Sequence, residues 1–326
     1  MSKEDLSSAH IRIAGTGMFL PPRTVTATEI DAILGVRKGW TQKHAGVAER
    51  HFVENETAAF MGAQALSNAV KGNPPDLLIS AGATPQQLIP CTASLIAAEM
   101  GWNEIPCFDI NATCLGFLVA LDTAACMLAI NRYKRIAIVC SEIASKGLNW
   151  KEPEAAAILG DGAAAVIVEK GTSELFKSHF ETWPEGAELT RIKGGGSAQP
   201  ACHYTKETHE DFLFHMDGPG IFRLASQKME SAVSKLIGSS PDRWSHIDAV
   251  IPHQASPLAL RHMASRLKIP SEKLISIAKN CGNTIAASIP MTLHTAISTQ
   301  QISRGSHILM IGTSAGFSIG GVRIQL

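Results

Sequence analysis

The chain has 326 residues, of which 45% are hydrophobic and 18% are charged, a composition typical of a globular protein with a substantial core. Its 29 basic residues equal its 29 acidic residues, which argues against nucleic acid or an anionic membrane surface as a partner. The seven cysteines form no CxxC pair and the first residues carry no apolar signal region, so we expect a reduced protein in the cytoplasm.

Short apolar strands alternate with helical patterns along the first half of the chain. The patterns predict strands over 11–14, 76–80, 135–140 and 163–169, with a further short strand from Phe108. They predict helices over 26–34, 57–70, 92–100 and from about 116 to 130. The last helix contains Asp122, which indicates a core helix and not a membrane span. Residues 39–51 are predicted to be a surface loop, and residues 171–213 a loop-rich connector.

The second half of the chain repeats the pattern of the first. Residues 247–253 resemble 76–80, residues 280–284 precede an apolar helix as 111–114 do, and residues 307–312 resemble 135–140. This repetition predicts an α/β fold with an internal duplication, divided into halves 1–171 and 172–326. Equivalent turns of the two halves would then meet at one central site. The connector holds Cys202, His203 and His209, but their spacing is not that of a metal site, and we expect no metal.

Three residues at predicted turns are candidates for catalysis. Cys114 lies at the start of a helix, where the helix dipole would lower its pKa from about 8.5 toward neutrality. His253 ends a strand, a common position for ligand sites in α/β folds. Asn283 lies at a glycine-containing turn, where its N–H group suits a developing oxyanion. Taken singly, each residue has a structural alternative: a buried thiol, a structural histidine and a helix cap.

Together, three motifs resemble the active-site motifs of β-ketoacyl-acyl-carrier-protein synthase III and its relatives in the thiolase superfamily. They are Ala112 to Phe117, Pro252 to Ser256 and Gly282 to Pro290. Supporting matches occur at Gly15 to Pro22, Gly160 to Ala163 and Gly316 to Gly321. The resemblance covers nearly the whole chain in order. It implies a thiolase-like fold of five alternating αβαβα layers, in a dimer.

The resemblance also implies a reaction. Cys114 would carry an acyl group as a thioester, with the backbone N–H groups of Cys114 and Gly316 forming the oxyanion hole. His253 and Asn283 would donate to the carbonyl of a malonyl- or β-keto-type thioester, and Phe117 would wall the acyl pocket. The expected reaction is a decarboxylative Claisen condensation in fatty-acid-like or secondary-metabolite biosynthesis. Its substrates would be thioesters of coenzyme A (acyl-CoA) or of an acyl carrier protein, with no permanently bound cofactor.

The residues that would hold coenzyme A depart from the family pattern. Trp40 occupies the position of the tryptophan that stacks on adenine, but Pro153 replaces the arginine that normally partners it. His44, Ala48 and Leu258 stand where the family has further arginines. Lost guanidinium groups mean lost charge-assisted bonds to phosphate, so tight binding of coenzyme A in the usual mode is not expected. Lys43 and Arg50 remain as nearby charges in the loop, and Arg261 lies one turn after Leu258.

Two further substitutions affect the pocket. Ser256 stands where the primary-metabolic enzymes have an asparagine, and it would supply one hydrogen bond with a different reach. Ile89 matches a loop position that crosses the dimer interface and closes the partner's acyl pocket, so a branched aliphatic there favours a longer acyl chain.

Two other functions are compatible with the same residues. An acyltransferase or a thioesterase would use the acyl-Cys114 intermediate on an oxygen or nitrogen nucleophile or on water. A subunit of a heteromeric synthase would pair with a homologue instead of a second copy, although a scaffold has no need for all three catalytic residues. Asn283 beside His253 favours condensation, because stabilising an enolate requires both donors.

Overall fold

The computed structural model describes residues 10–172 and 175–326, which form two large β-sheets enclosed by helices. The strands are β1 Ile11–Phe19, β2 Arg23–Thr26, β3 Glu49–Phe52, β4 Leu77–Ala81, β5 Cys107–Ile110, β6 Arg135–Glu142, β7 Gly162–Lys170, β8 Phe176–Thr182, β9 Thr190–Arg191, β10 His215–Met216, β11 Ala249–Pro252, β12 His307–Ser314 and β13 Ser318–Gln325. The α-helices are α1 Ala27–Ile33, α2 Trp40–His44, α3 Ala58–Ala69, α4 Thr92–Glu99, α5 Gly116–Ala129, α6 Pro153–Ala156, α7 Gly218–Ile237, α8 Pro257–Leu267, α9 Ala278–Cys281 and α10 Ser288–Ser298.

The two large sheets share one topology. The first has the strand order β1-β7-β6-β4-β5, and the second has the order β11-β12-β13-β8. In the first, β4 is parallel to β6, whereas β6–β7 and β7–β1 are antiparallel. The second repeats this with β11–β12 parallel and with β12–β13 and β13–β8 antiparallel. Leu274 forms an isolated parallel bridge to Val250 of β11, on the side where β5 pairs with β4 in the first sheet.

Three of the four buried hydrophobic clusters in the described part of the chain are stacked between the five layers. The largest core lies between the two sheets and contains the apolar residues of α5 and α10. A second core lies between the first sheet and the outer helices α3 and α4. A third lies between the second sheet and α7 and α8. This arrangement confirms the predicted αβαβα architecture. It buries most of α5, in which Cys126 is exposed, and this explains the largely apolar sequence of the helix.

Strand β1 is longer than the sequence pattern predicted. We expected the strand to end at Gly15, but it continues to Phe19 and pairs with β7. The glycines are needed for packing and not for a turn, since a Cβ on Gly15 or Gly17 would lie 2.1 Å from a backbone oxygen of α3. Glycine at these two positions lets α3 lie directly against the strand.

Two segments predicted as loops contain regular structure. Residues 39–51 hold α2 and the start of β3, which pairs with β2. The connector 171–213 contains β8, the edge strand of the second sheet, in which Phe176 and Phe180 pack on the central core. These two aromatic residues are separated by polar ones, so β8 lacks the continuous apolar run by which most strands of the two large sheets were predicted. Strand β13 was likewise not predicted as a strand.

The four helices predicted in the first half, α1, α3, α4 and α5, begin and end close to the predicted positions. The predicted capping box at α1 is confirmed, because Thr26 Oγ1 accepts from Glu29 N–H at 3.2 Å and Glu29 Oε2 accepts from Thr26 N–H at 2.8 Å. No helix in residues 10–172 or 175–326 is both long and apolar enough to cross a membrane.

Candidate active site

Cys114 lies in a strained turn between β5 and α5. A single 3-10 turn, Thr113–Leu115, joins the strand to the helix, and Thr113 adopts a φ of 47°. A β-branched residue is disfavoured in this left-handed region, so the surroundings must stabilise the conformation. Asn111 does so, because its Oδ1 accepts from Thr113 N–H at 3.0 Å. The turn holds Cys114 half-buried at the N-terminal end of α5.

The second half of the chain builds the same turn before α10. Ile285 opens a 3-10 turn with a φ of 50°, and Asn283 Oδ1 accepts from Ile285 N–H at 2.9 Å. Asn283 is therefore the structural equivalent of Asn111, and Ala286 is the equivalent of Cys114. The repeated sequence pattern of the two halves instead predicts that residues 280–284 correspond to 111–114. The short 3-10 turns carry no apolar periodicity that could have set this register.

The backbone and side-chain bonds of Asn283 fix which way its amide points. Its N–H donates to Ile158 O at 2.7 Å, and its carbonyl oxygen accepts from Gly160 N–H at 3.0 Å. Because Oδ1 already accepts from Ile285 N–H, the side-chain NH2 group is the donor that this residue presents. The residue is 8% exposed, so the donor acts in a largely water-excluded site.

His253 follows β11 and is held by α10. Its N–H donates to Ile311 O at 2.8 Å, and its Nδ1 lies 2.8 Å from Ser288 Oγ. Ser288 Oγ also accepts from Gln254 N–H at 3.3 Å, which directs the serine proton toward Nδ1 of His253. Nδ1 then accepts, and the ring proton resides on Nε2. Burial lowers the pKa of His253 to about 4, so the imidazole is neutral at physiological pH.

Close packing brings the three turns together. A Cβ on Gly312 would lie 2.6 Å from His253 Cβ and 3.4 Å from Leu115 Cδ2, so this glycine separates the histidine from the residue next to Cys114. A Cβ on Gly116 would lie 3.5 Å from Ala286 Cβ, three residues after Asn283. The predicted catalytic residues Cys114, His253 and Asn283 thus lie on turns that are in contact.

The prediction of a lowered pKa for Cys114 is wrong. Burial and the negative charge of Glu142 raise the pKa of the thiol to about 12, although backbone N–H groups of Ala315 and of Cys114 itself act in the opposite direction. Glu142 is itself buried and accepts from Thr84 N–H at 3.0 Å and Ala286 N–H at 3.4 Å. The sequence pattern showed the helix start but not the desolvation or the carboxylate beside it. The resting site therefore contains a neutral thiol and a neutral imidazole, not an ion pair.

The backbone donor opposite Cys114 comes from a neighbour of the predicted residue. The backbone N–H groups that lower the pKa of the thiol are those of Ala315 and of Cys114 itself, whereas the prediction named Gly316. Gly316 has a φ of 79° and shapes the turn between β12 and β13. Phe117, the predicted pocket wall, is fully buried in the first turn of α5.

A cavity of about 380 Å³ lies beside His253. Its walls come mainly from α7 and α8, with His44 and Met216 also contributing. Ser256 lines the cavity, but its hydroxyl caps α8 by accepting from Ala259 N–H at 3.1 Å. In residues 10–172 and 175–326, no three His, Cys, Asp or Glu side chains are grouped as metal ligands would be.

The residues expected to bind the carrier lie at the surface. The ring of Trp40 stacks on the ring of His44, with centroids 4.6 Å apart and planes 16° from parallel. The neighbouring side chain thus covers one face of the tryptophan on which an adenine would stack. Lys43 and Arg261 are exposed, whereas Arg50 is fully buried and is not available to a carrier. Ile89 is 85% exposed on the loop before α4. The structure does not bring Arg261 into the wall of the cavity, where Arg266 lies instead.

Three further residues of the site were not predicted from the sequence. Ser288 orients His253, Glu142 raises the pKa of Cys114, and Ala315 supplies a backbone donor. Ser288 belongs to the quoted motif Gly282 to Pro290, so its presence in the motif was a signal that could have been used. Glu142 ends a strand in the same way as His253 does, but an acidic residue at a strand end is more often exposed.

Two family models match the chain. Residues 108–184 match 3-oxoacyl-[acyl-carrier-protein] synthase III, and residues 241–326 match the C-terminal part of the same family. The β-ketoacyl-[acyl-carrier-protein] synthase III of Vesicomyosocius okutanii is 31% identical over 323 residues, which cover 98% of this chain and 99% of the relative. That of Neisseria meningitidis serogroup A is 31% identical over 324 residues, which cover 97% and 99%. The crystal structure of the Aquifex aeolicus synthase III is 29% identical with a TM-score of 0.86, covering 97% of this chain and 100% of that one.

Proposed function

The chain belongs to the 3-oxoacyl-[acyl-carrier-protein] synthase III family, and we propose that it condenses an acyl thioester with a malonyl-type thioester through an acyl-Cys114 intermediate. The observation that carries the proposal is the contact between the turns that hold Cys114, His253 and Asn283, with a nucleophile on one and a hydrogen-bond donor on each of the other two. We place the reaction in fatty-acid-like or secondary-metabolite biosynthesis.

In the first half-reaction the sulfur of Cys114 attacks the carbonyl carbon of the acyl thioester. The backbone N–H groups of Cys114 and Ala315 would stabilise the oxyanion, because both favour a negative charge at the position of the sulfur. The bond from the acyl carbon to the carrier sulfur breaks, and the proton of Cys114 leaves with the carrier as its thiol. With a thiol pKa of about 12, proton transfer must accompany the attack, since little thiolate exists beforehand.

In the second half-reaction His253 and Asn283 would donate to the carbonyl oxygen of the malonyl-type thioester. The bond to CO2 breaks and leaves its electron pair as an enolate, which attacks the acyl-Cys114 carbonyl carbon. The C–S bond then breaks, and the released cysteine sulfur takes a proton from solvent to restore the thiol. A neutral His253 with its proton on Nε2 suits this role. A β-keto-type nucleophile would need a base to remove a carbon-bound proton, and this tautomer of His253 is a donor. The site therefore favours the malonyl type.

The entrance favours a protein carrier over free coenzyme A. His44 covers one face of Trp40, and Pro153, Ala48 and Leu258 offer no charge to a nucleotide phosphate. We propose that acyl carrier protein presents the thioesters, with Lys43 and Arg261 available at the surface for an acidic partner.

We propose a homodimer whose interface includes the loop before α4. Leu88 is 74% exposed and Ile89 is 85% exposed in a single chain, and exposed apolar side chains of this size are typical of an interface. We place the boundary between the halves at residues 171 and 172, between β7 of the first sheet and β8 of the second.

Mass spectrometry of the purified chain tests the mechanism. After mixing with acyl thioesters, the peptide containing Cys114 should gain the acyl mass, and adding malonyl carrier protein should release CO2 and a β-keto product. Cys114→Ala should abolish both steps, whereas Asn283→Ala should retain the acylation and lose the condensation. Acylation followed by hydrolysis or by transfer to an oxygen or nitrogen acceptor, without CO2, would instead indicate the thioesterase or acyltransferase. Inactivity until a homologous chain is added would indicate the heteromeric subunit.

A further inference from the structure

Arg50 is a buried charge for which the proposed mechanism has no use. The residue lies on β3 and is 0% exposed. Its Nη2 donates to Ala157 O, but neither Nε nor Nη1 has a hydrogen-bond partner within residues 10–172 and 175–326. Burying a charge with two unpaired donors disfavours folding. A requirement for stability therefore does not explain an arginine at this position.

Two backbone hydrogen bonds tie β3 and the residues just before it to the segments that hold Asn283. Asp161 N–H donates to His51 O at 2.9 Å, and Ala48 N–H donates to Lys279 O at 2.7 Å. The first segment contains the backbone partners of Asn283, and the second leads into Asn283 itself. Arg50 therefore lies on the strand that borders both segments.

The side chain of Arg50 begins directly on the pairing of these two segments. An added Cβ on Gly160 would lie 3.1 Å from Arg50 Cβ, and an added Cβ on Gly282 would lie 3.5 Å from it. The same two added atoms would lie 2.4 Å and 2.7 Å from a backbone oxygen of the opposite segment. The segments thus meet backbone to backbone beside Asn283, and Arg50 covers the place where they meet.

Arg50 and Asn283 bond to consecutive carbonyl groups. Arg50 Nη2 donates to Ala157 O, and Asn283 N–H donates to Ile158 O at 2.7 Å. Because each peptide group is planar, fixing the carbonyl of Ala157 also fixes the amide nitrogen of Ile158. The bond from Arg50 therefore restricts the orientation of Ile158, and with it the carbonyl that holds Asn283.

Arg50 stays protonated in this position. Burial lowers its pKa to about 10, while the negative charge of Asp31 raises it. Asp31 is itself held at the start of α2, where its carboxylate accepts from Gly39 N–H at 2.6 Å and from Thr41 N–H at 2.8 Å. A hydrogen bond from an ionised donor is stronger than one from a neutral donor, so the bond to Ala157 O is a firm one.

We propose that Arg50 is a positioning residue for Asn283: it fixes the segment to which the backbone of Asn283 is bonded, and thereby the direction of the Asn283 NH2 group. The inference rests on the proposed function, in which Asn283 donates to the enolate oxygen in the second half-reaction only. Arg50 itself contacts neither thioester, because it is fully buried and bonds to the backbone. Loss of its guanidinium group therefore affects condensation and leaves the acylation of Cys114 intact.

A double-mutant cycle tests the inference. Arg50→Met keeps an unbranched side chain and removes the charge, and it should lower the rate of condensation by about 10- to 150-fold, the range for a hydrogen bond to a charged group. Acylation of Cys114 should change by less than about threefold. In Asn283→Ala, whose residual condensation is measured as slow CO2 release, adding Arg50→Met should have no further effect, since the group that Arg50 positions is absent.

Two matched variants and a spectroscopic measurement separate positioning from a general effect. Arg50→Lys keeps a buried cation and should retain more of the condensation rate than Arg50→Met. Arg23 is exposed on the neighbouring strand β2, so Arg23→Met should affect neither step. Nitrogen-15 NMR of the Asn283 side-chain amide, assigned by its loss in Asn283→Ala, should show a shifted resonance in both Arg50 variants and an unshifted one in Arg23→Met.

The outcomes separate the two proposals. Equal losses of acylation and condensation in Arg50→Met, or the same loss of condensation with and without Asn283, would overturn this inference and leave the proposed function standing. If Arg50→Met fails to fold, Arg50→Lys decides: a selective loss of condensation with a shifted amide resonance supports the inference, and an unchanged rate and resonance overturn it. Failure of wild-type Cys114 to gain any acyl mass would overturn the proposed function, and this inference with it.

Discussion

Replacing Ser288 with alanine should separate acylation from condensation. Ser288 is fully buried, and its hydroxyl lies 2.8 Å from Nδ1 of His253 while accepting from Gln254 N–H at 3.3 Å. The variant leaves a buried ring nitrogen and a buried N–H group without this partner, and it no longer fixes the proton of His253 on Nε2. Leaving a buried polar group unsatisfied costs about 1–3 kcal/mol.

The expected effect falls on the second half-reaction. If the loss appears in the transition state, where His253 donates to the developing enolate, about 1–3 kcal/mol corresponds to a decrease of about 5- to 150-fold in the rate of condensation. Acylation of Cys114 depends on the backbone donors of Cys114 and Ala315 and should change by less than about threefold. Rapid-quench mass spectrometry of acyl-Cys114, followed by measurement of CO2 release, resolves the two steps.

A matched control distinguishes a positioning role from a general loss of stability. Ser298→Ala removes a hydroxyl from the exposed end of the same helix, α10, and should affect neither step. Nitrogen-15 NMR of the imidazole should show the Nε2–H tautomer in wild-type enzyme and a mixture of tautomers in Ser288→Ala. Unchanged condensation in a folded Ser288→Ala variant, with the tautomer retained, would refute the assignment of Ser288 to this role.

The remaining predictions concern ionisation and packing. Burial lowers the pKa of His253 from 6.5 to about 4 in the folded state, so the unfolded chain binds more protons between these values. The free energy of unfolding should therefore fall by about 3 kcal/mol as pH drops from 6.5 toward 4. Urea unfolding of the wild type and of His253→Gln over this pH range measures the difference, and parallel pH profiles would disprove it. Because the Glu142 charge raises the pKa of Cys114, Glu142→Gln should accelerate alkylation of the thiol by iodoacetamide at pH 8, and slower alkylation in a folded variant would contradict the assignment. Gly17→Ala should destabilise the protein by about 1–3 kcal/mol in thermal denaturation, since the added Cβ would lie 2.1 Å from a backbone oxygen of α3. In the control variant Gly196→Ala the added Cβ would have no atom within 4 Å, so its stability should not change.

Much of the fold was predictable because its elements have strong local signals. Apolar runs identified most of the strands of both sheets, and the Thr26 capping box located the start of α1. Strand β8 and the continuation of β1 were missed for a common reason. The position of β8 depends on its packing against the central core, and that of the end of β1 depends on its packing against α3. The residue pattern of neither segment indicates a strand by itself.

The sequence by itself determined the fold class and the family, and it singled out the three candidate catalytic residues, because these depend on motifs that are contiguous in the chain. Only the tertiary structure decided how those residues behave. The pKa of Cys114 is raised because folding buries the thiol and places Glu142 beside it, against the local effect of the helix start. The tautomer of His253 depends on Ser288, 35 residues away, and the cavity exists only because α7 and α8 pack side by side on the second sheet. Burial and contacts between distant residues arise on folding, so no local pattern records them.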